Sequence, residues 1–417
     1  MATISPDWKV YKYKVAQCSL YIDNETIKID SGKIQNFFIE KDFDSDNLPI
    51  FMIRLLLSSE IYYKICKAQD SAQLGLDIKS VVDRGEDQLE EFSDYIKGKF
   101  VLLPVDNTPF MNEEIMRETK EAGSYGKGGT DITDMANGYS FILAKYETLN
   151  STKVIVNSVL QSANMLTTVA YALSSAGCSN VLMAAPDNTI TYKEMLLLPI
   201  PLINQLKYLN NYYGLYKSGA QIFFDFDRIY IVKKCSNSGA FDDVEPKMVG
   251  FHVYDGSNGT DYGCGSYTDN LNRKGYITVG ADQFDVKDLS TTSTQYSGNN
   301  SIIVNNGGAS SIANTDATKG NSKSFNVITT STHNPYVTQE TKLRLDELKS
   351  VITITTSNCD LRLLTPNKCY RVSSTSTKAT MAVNNAYRLS KLTVMFIKDG
   401  NLFTNDTQIT LKKSDAS

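Results

Sequence analysis

The most regular hydrophobic pattern lies in the middle of the chain, in residues 198–234, LPIPLINQLKYLNNYYGLYKSGAQIFFDFDRIYIVKK. In its first half, apolar side chains recur at steps of three and four from Leu202 to Tyr216. This spacing places one apolar stripe along a helix. Pro201 can stand only before or at the first turn, and we expect Gly219 to end the helix.

The second half of this stretch has the two-residue period of a β-strand, with mostly apolar residues on both sides. Ile222 and Phe224 fall on one side and Phe223 on the other, and Asp227-Arg228 separates them from a second apolar run. The pattern predicts a β-hairpin, although Asp-Arg is not a preferred two-residue turn. A helix that leads directly into an apolar hairpin indicates a packed unit, which forms the scaffold of a middle domain.

Both ends of the chain are patterned as strands. From Val10 to Val105, short β-branched and aromatic segments alternate with turn sequences, which favours an antiparallel barrel or sandwich. The last segments, from VITITTS to QITLKK, repeat this style. We predict further strands at 139–147 and 153–157 and a second helix from Asn164 to Gly177.

Two long polar stretches interrupt these patterns. Residues 107–138 are polar and Gly-rich, and we interpret them as a loop or arm with a short helix at 112–122. Residues 285–340 are rich in Ser, Thr, Asn and Gly but poor in charge. This composition fits either a disordered segment or extended arms that lie on partner chains.

Composition narrows the possible functions. The 42 basic and 46 acidic residues give a net charge of −4, so no nucleic-acid surface held by phosphate neutralisation is indicated. The seven cysteines are scattered and never spaced as CxxC, and only two histidines, His252 and His333, occur. A reduced cytosolic origin without a zinc site fits this usage. No apolar leader or membrane-length run is present, so we expect an unsecreted soluble protein without membrane insertion.

Three short motifs are candidates for chemistry, and each has a plainer interpretation. GSYGKGGT at 123–130 has Gly128 after its Lys where a phosphate loop needs Ser or Thr, so a flexible loop is favoured. Asp225 and Asp227 could hold a divalent metal, but no third acidic ligand is near, and a solvated hairpin end is favoured. DGSNGTD at 255–261 lacks the terminal Glu of a calcium loop and reads as a turn. We therefore predict no catalytic, cofactor-binding or metal-binding residue.

The hairpin DFDRIYIV after LINQLKYLNNYYGLYKSGAQIFF, the early pair KIQNFFIEKDFDSDNLPIFMIRLLL and the C-terminal LLTPNKCYRVSS…AYRLSKLTVMFIKDGNLF together resemble the central baseplate hub proteins of contractile phage tails. The N-terminal part of VgrG and related injection-system hubs is similar in architecture. The resemblance covers most of the chain as an order of elements, and its motifs are diffuse apolar patterns. Residues 285–340 depart from it.

The resemblance implies an α+β, mainly β fold with two tube-like antiparallel β-barrel domains that flank a helix-plus-hairpin middle domain. It further implies a homotrimeric ring that adapts a six-fold tail tube to a three-fold spike. The segments that we expect are a first barrel (1–110), a loop or arm with a connecting strand (111–148), the middle domain (149–235), an extended β-rich region (236–341) and a second barrel (342–417).

The partners implied by the resemblance are the tail tube, central spike, baseplate wedge and tape-measure proteins, with DNA passing through the lumen without specific binding. The location implied is the virion baseplate, after assembly in the host cytoplasm. If a partner surface lies in the middle domain, its exposed candidates are Tyr208, Tyr212 and Arg228. Two other functions remain open: a receptor-binding or glycan-binding tail protein, suggested by the aromatic β segments, and a tail-associated cell-wall hydrolase using Asp225 or Asp227.

Overall fold

The structure is a computed structural model of the 417-residue chain. The residues that it describes are 10–44, 48–83, 89–105, 137–226, 228–234, 248–254, 264–269, 272–288, 302–306, 309–313, 336, 350–366, 368–374 and 385–414. The fold is mainly β, with four α-helices in the described ranges, and this confirms the expected α+β, mainly β class.

A closed eight-stranded barrel forms the centre of the molecule. Six of its strands come from the N-terminal third and two from the C-terminus. Its first six strands, in chain order, are β1 (Val10–Ile22), β3 (Ile34–Asp42), β4 (Ile50–Leu57), β5 (Gln73–Asp83), β6 (Leu89–Pro104) and β7 (Asn137–Ala144). A short strand, β2 (Glu25–Lys28), pairs with the end of β1, and helix α1 (Ser59–Ala68) connects β4 to β5.

The C-terminal hairpin, β21 (Ala386–Asp399) and β22 (Leu402–Ser414), closes the barrel. β21 pairs antiparallel with β3 over 391–397, and β22 meets β1 where Tyr13 lies opposite Phe403. The strand order around the barrel is therefore β21-β3-β4-β7-β6-β5-β1-β22. Closure of this kind removes the exposed sheet edges that the N-terminal strands would otherwise present.

Aromatic side chains fill the barrel interior. Phe37 stacks on Phe396 with ring centroids 4.1 Å apart, and Tyr13 meets Phe396 edge-on at 5.1 Å. Phe51 and Phe100 face each other at 5.6 Å. All five side chains are buried. An eight-stranded barrel is just wide enough to be filled by side chains, so this barrel is a solid core and not a pore.

A second sheet grows from the far ends of the same C-terminal hairpin. On the β21 side it continues through β20 (Cys369–Ser374), β13 (Met248–Tyr254), β15 (Asn272–Gly280) and β14 (Cys264–Asp269). On the β22 side it continues through β19 (Ser350–Ser357) and β16 (Phe284–Asp288). β13 runs parallel to both β15 and β20. A separate hairpin joins β17 (Ile302–Asn306) to β18 (Ala309–Ala313).

The middle unit combines three helices with two small sheets. Its helices are α2 (Tyr146–Lys153), α3 (Met165–Ser175) and α4 (Leu202–Tyr213). Strands β8 (Ser158–Ala163) and β10 (Tyr192–Leu197) form an antiparallel ribbon. The hairpin of β11 (Ala220–Phe224) and β12 (Ile229–Lys233) is joined by a parallel strand, β9 (Val181–Met183).

The β11–β12 hairpin is buried on both faces and joins the middle unit to the barrel. Ile222 and Phe224 pack in the core beneath α3 and α4, whereas Phe223 belongs to the barrel core. Phe223 meets Phe43 at 4.5 Å, and Phe226, just past β11, meets Phe51 at 5.2 Å. The packed helix-and-hairpin unit expected from the sequence is confirmed.

The second helix is confirmed: Asn164 caps its start by accepting from the Thr167 N–H, and Gly177 follows it at φ 72°. The helix that begins after Pro201 ends earlier than expected. It stops at Gly214 and not at Gly219, because the backbone of Gly214, with φ 71° and ψ 133°, already turns the chain out of the helix.

Other expectations were wrong. Residues 153–157 form no strand, because helix α2 runs through Lys153 and Ile155 makes only an isolated bridge to Pro201. Helix α1 was missed, although Ser58 caps it by accepting from the Ile61 N–H. The expected arm at 107–138 and the segment 285–340 lie largely outside the described residues.

The proposed domain limits remain a prediction, but the C-terminal strands do not pair within one separate barrel. The sequence assigned 342–417 to a second barrel and 1–110 to the first. β21 and β22 serve both sheets instead, because each is long enough to pair with different neighbours at its two ends. β7, placed in the connecting segment 111–148, is a barrel strand.

Candidate functional site

The end of the β11–β12 hairpin carries the acidic pair that the sequence singled out. Asp225 is buried, with its carboxylate 2.6 Å from the Lys41 Nζ of strand β3. Lys41 also stands over the Phe226 ring at 4.7 Å. The expected solvated hairpin end is therefore wrong for Asp225, because an ion pair in the wall of the barrel neutralises it. Asp227 lies outside the described residues.

A cleft of about 450 Å³ opens beside this hairpin end, where the middle unit meets the barrel. Its walls come from β6, from the start of α2, from the turn after α3 and from the hairpin. The lining side chains include Lys99, Lys145, Glu147, Asn180 and Arg228. Of the three predicted surface residues, Arg228 is the one that lies here.

Two cationic side chains of the cleft make cation–π contacts with aromatic rings. Arg228 lies 6.0 Å from the Tyr230 ring, and Lys145 stands 4.5 Å over Phe100 and donates to the Lys97 carbonyl. Cations over ring faces are attracted by the ring quadrupole, and this attraction fixes their position. The cleft is thus a structured junction between the barrel and the middle unit, with a positive excess among its lining side chains.

Tyr208 and Tyr212 lie together on the outer face of α4, one helical turn apart. Their ring centroids are 4.6 Å apart. Tyr212 is 67% exposed, whereas Tyr208 is half-buried against the middle core. Partial burial and then the neighbouring Tyr213 and Tyr212 hydroxyls raise the pKa of Tyr208. The structure thus presents an aromatic pair, and its role as a partner surface stays a prediction.

Sequence reasoning missed a second surface on the middle unit, formed by one face of α3 and of the β8–β10 ribbon. On the ribbon, Val159 and Leu196 are cross-strand partners, and both are exposed. On the helix, Leu166 and Tyr171 are exposed, and the Tyr171 hydroxyl lies 2.9 Å from Ser158 Oγ on β8. The signal in the sequence was the absence of any charged residue from α3.

The remaining candidates are either single groups or lie outside the described residues. His252 Nδ1 is 3.0 Å from Ser373 Oγ. His333, the glycine-rich 123–130 stretch and the 255–261 turn lie outside. Within the described ranges, no group of three or more His, Cys, Asp or Glu side chains could hold a metal ion. None of the helices in those ranges is long and apolar enough to cross a membrane.

Comparison with known protein families identifies the family to which the chain belongs. Residues 8–414 match the family described as Bacteriophage PBS1 gene 109 protein. Because the match spans nearly the whole chain, the protein belongs to this bacteriophage family. No curated protein matches it.

Solved structures with a similar fold come from phage tails and injection systems. The 43 kDa tail protein of prophage MuSo2 from Shewanella oneidensis is 9% identical, with 96% of this chain and 99% of that chain covered and a TM-score of 0.50. The tail protein from Neisseria meningitidis MC58 is 11% identical over 97% of both chains, with a TM-score of 0.49.

The Francisella PdpA-VgrG complex is 10% identical over 98% of this chain and 58% of that chain, with a TM-score of 0.42. At such identities the likeness speaks for the fold alone. The expected resemblance to phage tail proteins is confirmed at the level of the fold.

Proposed function

We propose that this chain is a structural subunit of a phage tail baseplate hub. In this proposal three copies form a ring that adapts a six-fold tail tube to a three-fold central spike. Membership of a bacteriophage family and a fold shared with a phage tail protein support a tail component. The finer assignment to the hub rests on the architecture described below.

The observation that carries the proposal is the closed barrel with an aromatic interior. Phe37, Phe51 and Phe396 occupy the space through which a channel would have to run. A ring that encloses DNA or a tape-measure protein must therefore place its lumen between barrels and not inside one. Closed barrels also lack free edges, so they can stand side by side without strand exchange.

The same proposal names the partners. The tail tube protein contacts one end of the ring and the central spike the other, with baseplate wedge and tape-measure proteins beside them. DNA passes through the lumen without specific binding, which agrees with a net charge of −4. The location is the virion baseplate after assembly in the host cytoplasm. The role is architectural and involves no catalysis.

Mass measurement of the purified protein tests the proposal directly. Light scattering should give three times the 46.3 kDa mass of the chain, and electron micrographs should show a three-fold ring with a central opening. A chain that stays monomeric, both alone and when mixed with tail tube and spike proteins, would contradict the hub.

The aromatic pair on α4 keeps one alternative open, a receptor-binding or glycan-binding tail protein. Exposed tyrosine rings present an apolar body and a polar tip, a surface that suits sugars as well as proteins. In this alternative, Tyr212→Ala abolishes saturable binding of host-surface polysaccharide, while Tyr171→Ala, at another exposed tyrosine, preserves it. Absence of binding by the unaltered protein removes the alternative.

A further inference from the structure

The outer wall of the barrel carries one row of apolar side chains that the pairing register brings into line. Leu103 on β6 lies opposite Ile142 on β7, and Ile142 lies opposite Met52 on β4. Met52 lies opposite Phe38 on β3, and Phe38 opposite Met395 on β21. We call these five residues the apolar band. Outward positions of a barrel alternate with core positions and are ordinarily polar, so a row across five neighbouring strands is unusual.

The band is open to solvent at its β21 end. Met395 is 40% exposed, and Ile397, the next outward residue on β21, is 47% exposed. At the other end, Leu103 and Ile142 border a pocket of about 160 Å³ that Leu149 of α2 also lines. With strands about 4.8 Å apart, the band is roughly 20 Å wide. Phe38 and Met52, between these two ends, are partly exposed. Single exposed hydrophobics are ordinary, but a contiguous patch of accessible apolar side chains marks an interaction site.

Polar residues border the band on both sides, beside the exposed Ile397 on one side and the exposed Ile50 on the other. On one side, the next outward row includes Arg54 and Asn36, which pair across β3 and β4. On the other side, Glu40 forms a 2.6 Å ion pair with Lys391. An uncharged centre within a mixed polar rim is the arrangement of protein–protein interfaces, and the centre offers no cations for nucleic acid.

The opposite wall of the same barrel is different. Its outward positions on β1 and β5 include Lys12, Lys14, Asp77 and Lys79. Asp77 lies 3.5 Å from Lys97 of β6. The outward positions of this wall are thus charged, whereas those of the band are apolar.

Another copy of this chain is the occupant that fits. A filled barrel obliges a channel-forming ring to bring barrel walls of different copies together, and charged walls gain little from such contact. The open part of the band, from Met52 to Met395, suits the wall of a second barrel, and border residues of both signs can pair with those of an identical chain. We propose that the apolar band is the surface on which a second copy packs in the ring; this inference rests on the proposed hub function.

Met395→Glu tests the band by placing a charge at its exposed end. The side chain is accessible in the single chain, so the fold should tolerate the change, and circular dichroism and the thermal midpoint of the monomer verify this. The expected result is a monomer mass by light scattering, with self-association at least tenfold weaker. Ile397→Glu is a second variant that should act in the same direction.

Gln17→Glu is the matched control, because it adds the same charge to an exposed position of β1 on the opposite wall. It should keep the trimer mass. An unaltered trimer in both Met395→Glu and Ile397→Glu would overturn the band while leaving the hub intact. If those variants keep the trimer but lose binding to the tail tube protein, the occupant is the tube protein and the inference is wrong. A wild-type chain that never associates would contradict the hub and the band together.

Discussion

The two halves of the C-terminal hairpin β21–β22 belong to different surroundings. In the barrel half, residues 391–397 of β21 alternate strictly between core and surface, with Phe396 inside and Met395 outside. In the junction half, residues 386–390 are buried on both faces. Strand β21 therefore has one face in a hydrophobic core at one end and is enclosed on both faces at the other.

The enclosed half contains polar groups that need partners. Arg388 is only 1% exposed and forms an ion pair with Asp44, which also accepts from Lys412 and from the Ser390 hydroxyl. Although burial opposes ionisation, Arg388 and then Lys412 hold the pKa of Asp44 well below its usual range. The middle unit is attached to the same part of β21. The Gln221 side chain of β11 donates a 2.8 Å hydrogen bond to the Leu389 carbonyl, between Arg388 and Ser390.

This difference between the two halves shows how one hairpin can connect the barrel, the second sheet and the middle unit. The barrel half is stabilised mainly by buried apolar area and packing, and its buried polar side chains, Asn405 and Thr407, are hydrogen-bonded. The junction half is stabilised by directed bonds, which fix the position of the second sheet and the middle unit relative to the barrel. Breaking each half in turn should therefore have different consequences.

The largest loss in the free energy of unfolding is expected from a change in the barrel half. Phe396→Ala removes a ring that contacts Phe37 and Tyr13 in a closed interior, and it should lower the free energy of unfolding by about 3–5 kcal/mol. Denaturant unfolding measures the loss. Thr393→Ala, an outward residue on the same strand, should change little. Equal losses for the two variants would show that the interior is not packed as described.

The second-largest loss in the free energy of unfolding is expected from a change in the junction half. Asp44→Asn leaves the buried Arg388 guanidinium without its carboxylate, and we expect a loss of about 2–3 kcal/mol, somewhat reduced by the partial exposure of Asp44. Asp399→Asn provides the comparison, since its ion pair with Lys12 is exposed and should contribute less than about 0.5 kcal/mol. If the two losses are the same, Asp44 does not act as a buried partner.

The smallest expected effect is a pH dependence of the free energy of unfolding, caused by Lys368 near the junction half. Burial, opposed by Asp360 and aided by Arg362, lowers the pKa of Lys368 to about 8, and its Nζ donates to the Arg362 carbonyl at 2.7 Å. Above pH 8 the unfolded chain keeps this proton while the folded chain loses it. The free energy of unfolding should therefore rise by about 1 kcal/mol between pH 8 and 9 relative to Lys368→Met. Parallel profiles for the two proteins would contradict the lowered pKa.

The sequence by itself determined the local elements with strong periodicity. The stripe that begins at Leu202 and the alternation around Phe223 gave the helix and the hairpin, because each reflects which side of a single element is buried. Helix α1 was missed because it is short and lies among strands, although the cap at Ser58 and the i,i+4 pair of Glu60 and Lys64 were local signs of it. The ends of elements, such as Gly214, depend on one residue and are less certain.

Only the tertiary structure decided which strands close the barrel and where apolar side chains meet on its outside. Leu103, Met52 and Met395 are far apart in the chain, and each alone is an ordinary residue of a strand. The apolar band exists only because the register sets them side by side. The same holds for Asp44 and Arg388, and for Lys41 and Asp225. Periodicity reports the burial of one element, whereas pairing between distant strands depends on contacts that no local pattern contains.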